Sequence, residues 1–388
     1  MNQALMSRRE VQRRALALAL MPWLSAGAQA QLLQGPALGA VPRWQVDPFS
    51  LGVASGQPQS GSVVLWTRLR ISEADAALKS QSVPVVCEVF ADAALRQPVR
   101  QWHVQTDARR GHSVHVLASG LQPGRHYWYR FVCGQAISPV GRTRTSPALN
   151  EAVPRLRMAL ASCQHFEQGY FAAHRDMAER DLDLVLFVGD YIYESSNPRF
   201  IVRKHEGGIP VLLDEYRERH AQYKSDADSK QFHASKPLIA VWDDHEFTND
   251  TYKDGAENHT PATEGPFAAR KAAALQAYHE WMPIRTGADK AKIYRSFNFG
   301  NLVSLHMLDT RLIGRDAQIE IGELAGAAGP AARNAALSAF SSPTRQMLGT
   351  EQMQWLQGQL AASTARWQVL GQQVLMGRME FPVSVLAA

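Results

Sequence analysis

The chain has 388 residues, 45% hydrophobic and 20% charged, an ordinary balance for a folded protein with room for two domains and a substantial core. That balance, with no repeat or low-complexity tract, excludes a disordered or fibrous chain. Residues 1–30 carry four Arg and one Glu, so without them the formal charge of +5 falls to about +2. Such a small excess excludes a specific nucleic-acid-binding groove.

The first 30 residues read as an export signal peptide. Ser7-Arg8-Arg9 and Arg13-Arg14 form a basic start, residues 15–24 a short apolar run, and Ala28-Gln29-Ala30 a small-residue cleavage site before Gln31. The run is too short to span a bilayer, so no stable membrane anchor is expected. The paired arginines resemble a twin-arginine signal, although Val11-Gln12 stands where a bulkier apolar pair is usual. The expectation is passage through the twin-arginine export machinery to a periplasmic or secreted location.

Residues 46–147 read as all-β. Short runs at 62–67, 85–91, 102–106, 113–117 and 126–133, rich in Val, Tyr and Trp, are punctuated by Gly61, Gly111, Gly120, Gly124 and Gly134. Their spacing predicts a small immunoglobulin- or fibronectin-like β-sandwich. It gathers no cluster of ligand-type residues, so its role is supporting. Of the three cysteines, Cys87 and Cys133 are placed to pair across the sandwich, which leaves Cys163 over. A free thiol there is either a small core residue or a thiolate ligand.

A polar linker at 143–154, with Pro147 and Pro154, precedes a second domain at 154–388 in which strands and helices alternate. Strands are predicted at 156–161, 182–188 and 237–242, and helices at 169–180, 213–224 and 267–281. A hairpin through Phe297-Asn298-Phe299-Gly300 and 302–308 leads to Asp309-Thr310-Arg311. A helix at 351–363 and a strand at 367–370 follow, and the Ala/Gly-rich stretch 325–341 reads as a surface helix or loop.

Gly189-Asp190-Tyr191-Ile192-Tyr193 and Trp242-Asp243-Asp244-His245-Glu246 each follow an apolar strand. Carboxylates are costly inside buried strands, so they belong where the strand ends and the loop opens. With Ser162-Cys163-Gln164 they converge on one point, which has the chemistry of a metal site. Gly189 lets the chain turn, so that Asp190 can bridge two cations, and Tyr193 can bind as a phenolate. The competing structural roles are a loop cap for Asp190 and a packed aromatic for Tyr193. Adjacent aspartates point apart, so one of Asp243 and Asp244 is expected to be a ligand. Asp243 is assigned to the metal, and Asp244, His245 and Glu246 to groups beside it that act on the transition state. His165 and His174 read as ordinary polar residues. Asp309 and Arg311 form either a loop ion pair or a phosphate-orienting group. Thiolate and phenolate donors suit iron(III), while carboxylates and the Asn249 carbonyl suit calcium, magnesium or manganese, so a mixed metal cluster is expected.

These segments, together with Tyr216-Arg217, Tyr223-Lys224-Ser225-Asp226, Asn249-Asp250 and Leu308-Asp309-Thr310-Arg311, resemble the PhoD-like alkaline phosphatase/phosphodiesterase family over nearly the whole chain. The resemblance implies a four-layer α/β/β/α metallophosphoesterase core behind the N-terminal sandwich, and a monomer. It implies a site with Fe3+ and Ca2+, in which Cys163 and Tyr193 bind iron and Asp190 bridges. Asp243 and Asn249 would serve the other metals or the phosphate. The implied reaction is alkaline hydrolysis of phosphate mono- and diesters by a metal-activated hydroxide. Members of the family continue to a glycine-aspartate-x-histidine motif that supplies further ligands, and none follows Asp309 here. The core is therefore expected to be incomplete and this chain to bind metal poorly. The alternative is an inactive member that binds phosphate ligands.

Overall fold

The computed structural model describes residues 41–319 and 329–376; the signal-peptide reading at 1–30 lies outside the described residues. The N-terminal part runs β1 (Val53–Gln59), β2 (Ser62–Arg68), β3 (Val83–Phe90), β4 (Pro98–Thr106), β5 (Ser113–Ser119), β6 (His126–Cys133), β7 (Ala136–Ile137) and β8 (Gly141–Arg144). Alternation sets its core. Val83, Val85, Cys87 and Val89 of β3 and Tyr127, Tyr129, Phe131 and Cys133 of β6 are buried, while the residues between them are not fully covered. They pack on Val63, Leu65, Val114 and Val116 of β2 and β5, giving the expected sandwich.

The expected Cys87–Cys133 bridge does not form. Both thiols are free and lie on adjacent strands of one sheet, with Cys87 opposite Phe131 and the Cys133 thiol on the Pro84 carbonyl. A bridge across the sandwich would need them on opposite sheets.

The second part adds β9 (Met158–Ala161), β10 (Leu184–Val188), β11 (Pro237–Val241), β12 (Arg295–Phe299), β13 (Val303–Met307) and β14 (Trp367–Gly371). β10 and β11 are buried along their whole length, as parallel strands covered on both faces must be. The two parts share a sheet. β1 pairs antiparallel with β2 and parallel with β11, giving the order β5-β2-β1-β11-β10-β9. The sandwich edge is thereby closed by the second domain. Accordingly β2 is buried on both faces, with Val63 and Leu65 in the sandwich core and Trp66 in the second core. A Cβ on Gly56, at this seam, would run into the backbone oxygens of Pro283 and Leu238.

A second sheet, β12-β13-β14, contributes Phe297, Phe299, Val303, Leu305 and Met307 to the core that also holds Leu186 and Ile239. Helices Leu213–Ser225 and Phe267–Trp281 pack together outside the large sheet, and Thr350–Ala362 reaches Leu308 through Leu356. This is the four-layer order expected. The described part of the Ala/Gly-rich stretch is a surface helix, Pro330–Phe340, with no buried residue. Among the described residues no helix is long and apolar enough to cross a membrane.

Lys224, on the Leu213–Ser225 helix, is buried with no carboxylate partner among the described residues. Its Nζ lies 3.3 Å from His233 Nε2 and 4.9 Å from the ring centres of Trp66 and Tyr191. Burial lowers its pKa from 10.5 to about 7. Between those values the unfolded chain binds more protons than the folded one, so this group makes stability rise with pH across that window. Lys224→Met is expected to remove that rise and to raise the thermal midpoint at pH 7. Melting curves at pH 7 and 9.5 check it, and an unchanged pH slope contradicts it.

Candidate metal centre

The centre is assembled where β9, β10 and β11 end. Gly189 turns the chain out of β10 at φ +98, and a Cβ there would collide with the Cβ and backbone nitrogen of Asp243, so glycine is required for the two loops to meet. Three non-glycine residues in left-handed backbone cluster here: Cys163 (φ 57), Asp190 (φ 57) and Asp250 (φ 51). Such strain persists only where the surroundings impose it. The imposing contacts are visible. Cys163 N–H donates to Gly189 O at 3.3 Å and Gln164 N–H to Asp190 O at 3.2 Å. The buried Glu246 carboxylate accepts from Tyr191 N–H at 2.6 Å and Asp243 N–H at 2.8 Å, tying the β10 loop to the β11 loop.

Ligand-type atoms of Asp190, Asp244 and His245 lie within 4.8 Å of one another. Asp190 Oδ2 accepts the Tyr193 hydroxyl at 2.8 Å, while Asp190 Oδ1 is buried with no hydrogen-bond partner. A buried carboxylate oxygen left unpaired costs free energy that a cation would recover. His245 Nδ1 is 2.7 Å from Glu194 Oε2, and Glu194 Oε1 takes Asn249 N–H at 2.9 Å. The imidazole is thus held from behind by a carboxylate, the usual arrangement when the other ring nitrogen serves a metal.

The acids at this centre are buried and crowd one another. Burial raises the Asp190 pKa, and Asp244 adds to the rise. Burial and the neighbouring Asp244 push Asp243 to about 7, and burial with Asp190 pushes Glu246 well above its ordinary value. For His245 burial acts downward, but Glu194 outweighs it and lifts the imidazole to about 9. Burial raises both the Cys163 thiol and the Tyr193 phenol, so without a cation both keep their protons. The acidic, imidazole, thiol and phenol donors fit a metal centre.

The sequence-predicted residues distribute unevenly. Asp190, Asp244 and His245 form the compact group, Tyr193 joins it through Asp190, and the Cys163 thiol interacts with Asp190 and Tyr193. Cys163 is exposed, so of its two readings the small core residue is excluded. Asp243 lies outside the three-residue group; its carboxylate is held by Arg311, Nε to Oδ1 2.5 Å. Asp244, expected beside the ligand, is the aspartate grouped with Asp190 and His245, although Arg311 reaches it as well, at 3.2 Å. Asn249 sends its side-chain amide to Glu257 at 2.9 Å and Asp250 at 3.3 Å, on its own loop. The loop ion pair between Asp309 and Arg311 is absent. Asp309 instead caps the backbone N–H groups of Arg311 and Leu312, and Arg311 spans to Asp243, Asp244 and Asp250. Glu194, which had no assigned role, follows Tyr193 directly and holds His245. His165, read as an ordinary polar residue, lies with its ring centre 4.5 Å from that of Tyr193.

Glu194→Gln is expected to lower metal affinity by about 10–100-fold, because the histidine loses its orienting charge. Calcium and iron titrations followed by calorimetry check it, and an affinity equal to that of the parent chain contradicts it.

A mixed sheet with acids and a histidine converging at the ends of its parallel strands β9, β10 and β11 defines an α/β protein with a candidate metal-binding centre and an appended β-sandwich. The chain belongs to the PhoD-like phosphatase family, whose profile matches residues 158–386, while the PhoD-like phosphatase N-terminal domain matches 36–147. Alkaline phosphatase D of Bacillus subtilis (strain 168) is 42% identical over 358 residues, 89% of this chain and 59% of that protein. A solved structure described as "Structure of PhoD" superposes with a TM-score of 0.78 at 42% identity, over 87% of this chain and 64% of its own. The chain thus spans about 60% of the length of these relatives.

Proposed function

We propose that the chain is an exported, metal-dependent phosphoric ester hydrolase acting on mono- and diesters at alkaline pH. The observation that carries this reading is the unpartnered, buried Asp190 Oδ1 beside Asp244 and His245. Membership of the family and the likeness to alkaline phosphatase D support the reaction class. Asp190, Asp244 and His245, with the Cys163 thiol and the Tyr193 phenol, would hold the cations, the thiol and phenol suiting Fe3+ and the carboxylates Ca2+. Bound cations supply Lewis acidity toward a phosphoryl oxygen and activate water.

The chain's own groups do the rest. Glu194 fixes the His245 ring. Arg311, which faces three carboxylates, would orient the substrate phosphate. Glu246 keeps the two loops in register. The test is chelation of the purified chain followed by saturating Fe3+ and Ca2+. p-Nitrophenyl phosphate and its bis ester serve as substrates, and metal content is read by mass spectrometry. Hydrolysis dependent on both metals is expected; no metal uptake and no hydrolysis would refute the reading. For the twin-arginine leader, N-terminal sequencing of the exported protein is expected to start at Gln31.

A further inference from the structure

Where the sandwich meets the end of the Phe267–Trp281 helix, a cavity of about 660 Å³ is lined by Arg109, Arg110, His115, Glu280, Arg285 and Lys290, among others. None of its lining residues belongs to the metal centre. Its single carboxylate is already occupied, since Glu280 takes Arg217 through two bonds of 2.7 Å. Arg109 is paired with Asp107 at 2.7 Å, and burial keeps His115 neutral, with a pKa of about 4. Arg110, Arg285 and Lys290 have no carboxylate partner among the described residues.

Arg285 is the informative member. It is partly buried, and its guanidinium donates only to neutral oxygens, the Gln57 carbonyl and Ser62 Oγ, while its backbone N–H donates to Gln57 Oε1 at 2.7 Å. Arg295 sits beside it, on Gln57 Oε1 at 2.8 Å and the Arg285 carbonyl at 2.9 Å, again without an acid. Burial and this neighbour depress Arg285 to about 10. Gln57, which holds both, occupies a left-handed backbone (φ 47) at the irregularity between β1 and β2. Gln57 and Arg295 are not among the residues that line the cavity; they fix Arg285, the residue of this group that does line it, through its backbone and guanidinium.

We propose that this cavity binds a phosphate group, free or as a small phosphate ester, at a site separate from the metal centre. Its volume suits a small molecule, and three cations without carboxylate partners, from two segments, favour an anion carrying more than one charge.

The test is calorimetric titration of the full chain, kept in chelator so that the acid-crowded metal centre repels anions. Orthophosphate and glycerol phosphate are the probes, at low salt, with acetate as the single-charge control. One site for either phosphate probe is expected, weakening with added salt. In the exposed-residue double variant Arg110→Ala/Lys290→Ala, affinity is expected to fall about tenfold or more. Whichever phosphate probe binds identifies the source. No binding by either, equal binding of acetate, or an unchanged affinity in the double variant overturns the proposal. Because metal is absent throughout, these outcomes are independent of whether the chain hydrolyses esters.

Discussion

On the proposed function, Asp190→Asn is expected to abolish metal binding and to lower any phosphoester hydrolysis by about 10³-fold, while making the metal-free protein more stable. The first effect follows from position. Asp190 accepts the Tyr193 hydroxyl through Oδ2 and has a carboxylate oxygen within 4.8 Å of ligand atoms of Asp244 and His245. The loss of a preorganised electrostatic group at a reacting centre is on the order of 10²–10³ in rate, and a bridging ligand lies at the upper end.

The second effect has the opposite sign because the metal-free centre is over-supplied with negative charge. Asp190 is buried and faces Asp244 and Glu246, and its pKa is raised. A carboxyl with a raised folded pKa contributes stability that is present in acid and lost as pH rises through that value. The same sign holds for Asp243, raised to about 7, so metal-free stability is expected to decline from about pH 4 toward pH 7. Asn at 190 removes one of the repelling charges and flattens the decline. Chemical denaturation in chelator at pH 5 and 7.5, for parent and variant, measures it. A variant less stable than its parent at pH 7.5 would show that Asp190 is a structural cap instead.

The layering was legible where local pattern and environment agree. The fully buried runs Leu184–Val188 and Pro237–Val241 announce parallel strands, and the acids just beyond them announce a site. β1 escaped because Val53–Gln59 contains Gly56 and Pro58, residues that weaken a strand signal. Its identity as a strand comes from tertiary pairing with both β2 and β11, which no local window contains. The helix Ala227–Ser235 escaped for a related reason: its polar composition hides a start set by Asp226, whose side chain accepts the Ser229 N–H. At the site, sequence order could not say which of two adjacent aspartates turns toward Asp190. The two are distinguished only by tertiary contacts: Arg311, 68 positions further along, donates to both Asp243 oxygens, while Asp244 also accepts the Asp250 N–H. Glu194 was hidden by its neighbours, because a glutamate after a ligand-type tyrosine has no distinctive spacing until the fold brings His245 against it.

Arg311→Ala is expected to destabilise the metal-free protein by about 3–5 kcal/mol, the usual consequence of removing one partner from a buried ion group. Arg311 is nearly inaccessible, with 8% of its side chain exposed, and reaches Asp243 at 2.5 Å, Asp244 at 3.2 Å and Asp250 at 3.2 Å. Without it Asp243 and Asp244 lose their ion-pair partner, while Asp250 keeps the neutral donors Gln318 and Asn249, with Arg315 as a remaining nearby cation. Arg311→Lys retains the charge but loses the planar fork that serves three acceptors, so an intermediate loss is expected. Cations should restore part of the deficit, since a ligand at 100 times its dissociation constant adds about 2.7 kcal/mol. The two variants discussed thus act on one charge cluster with opposite signs. Asp190→Asn relieves crowding and Arg311→Ala aggravates it. Combining Arg311→Ala with Asp243→Asn is therefore expected to cost less than Arg311→Ala alone, because the carboxylate left without a partner is gone. Denaturant midpoints for the four proteins of that cycle in chelator measure the coupling. Strict additivity would show that the Arg311–Asp243 contact carries no net energy.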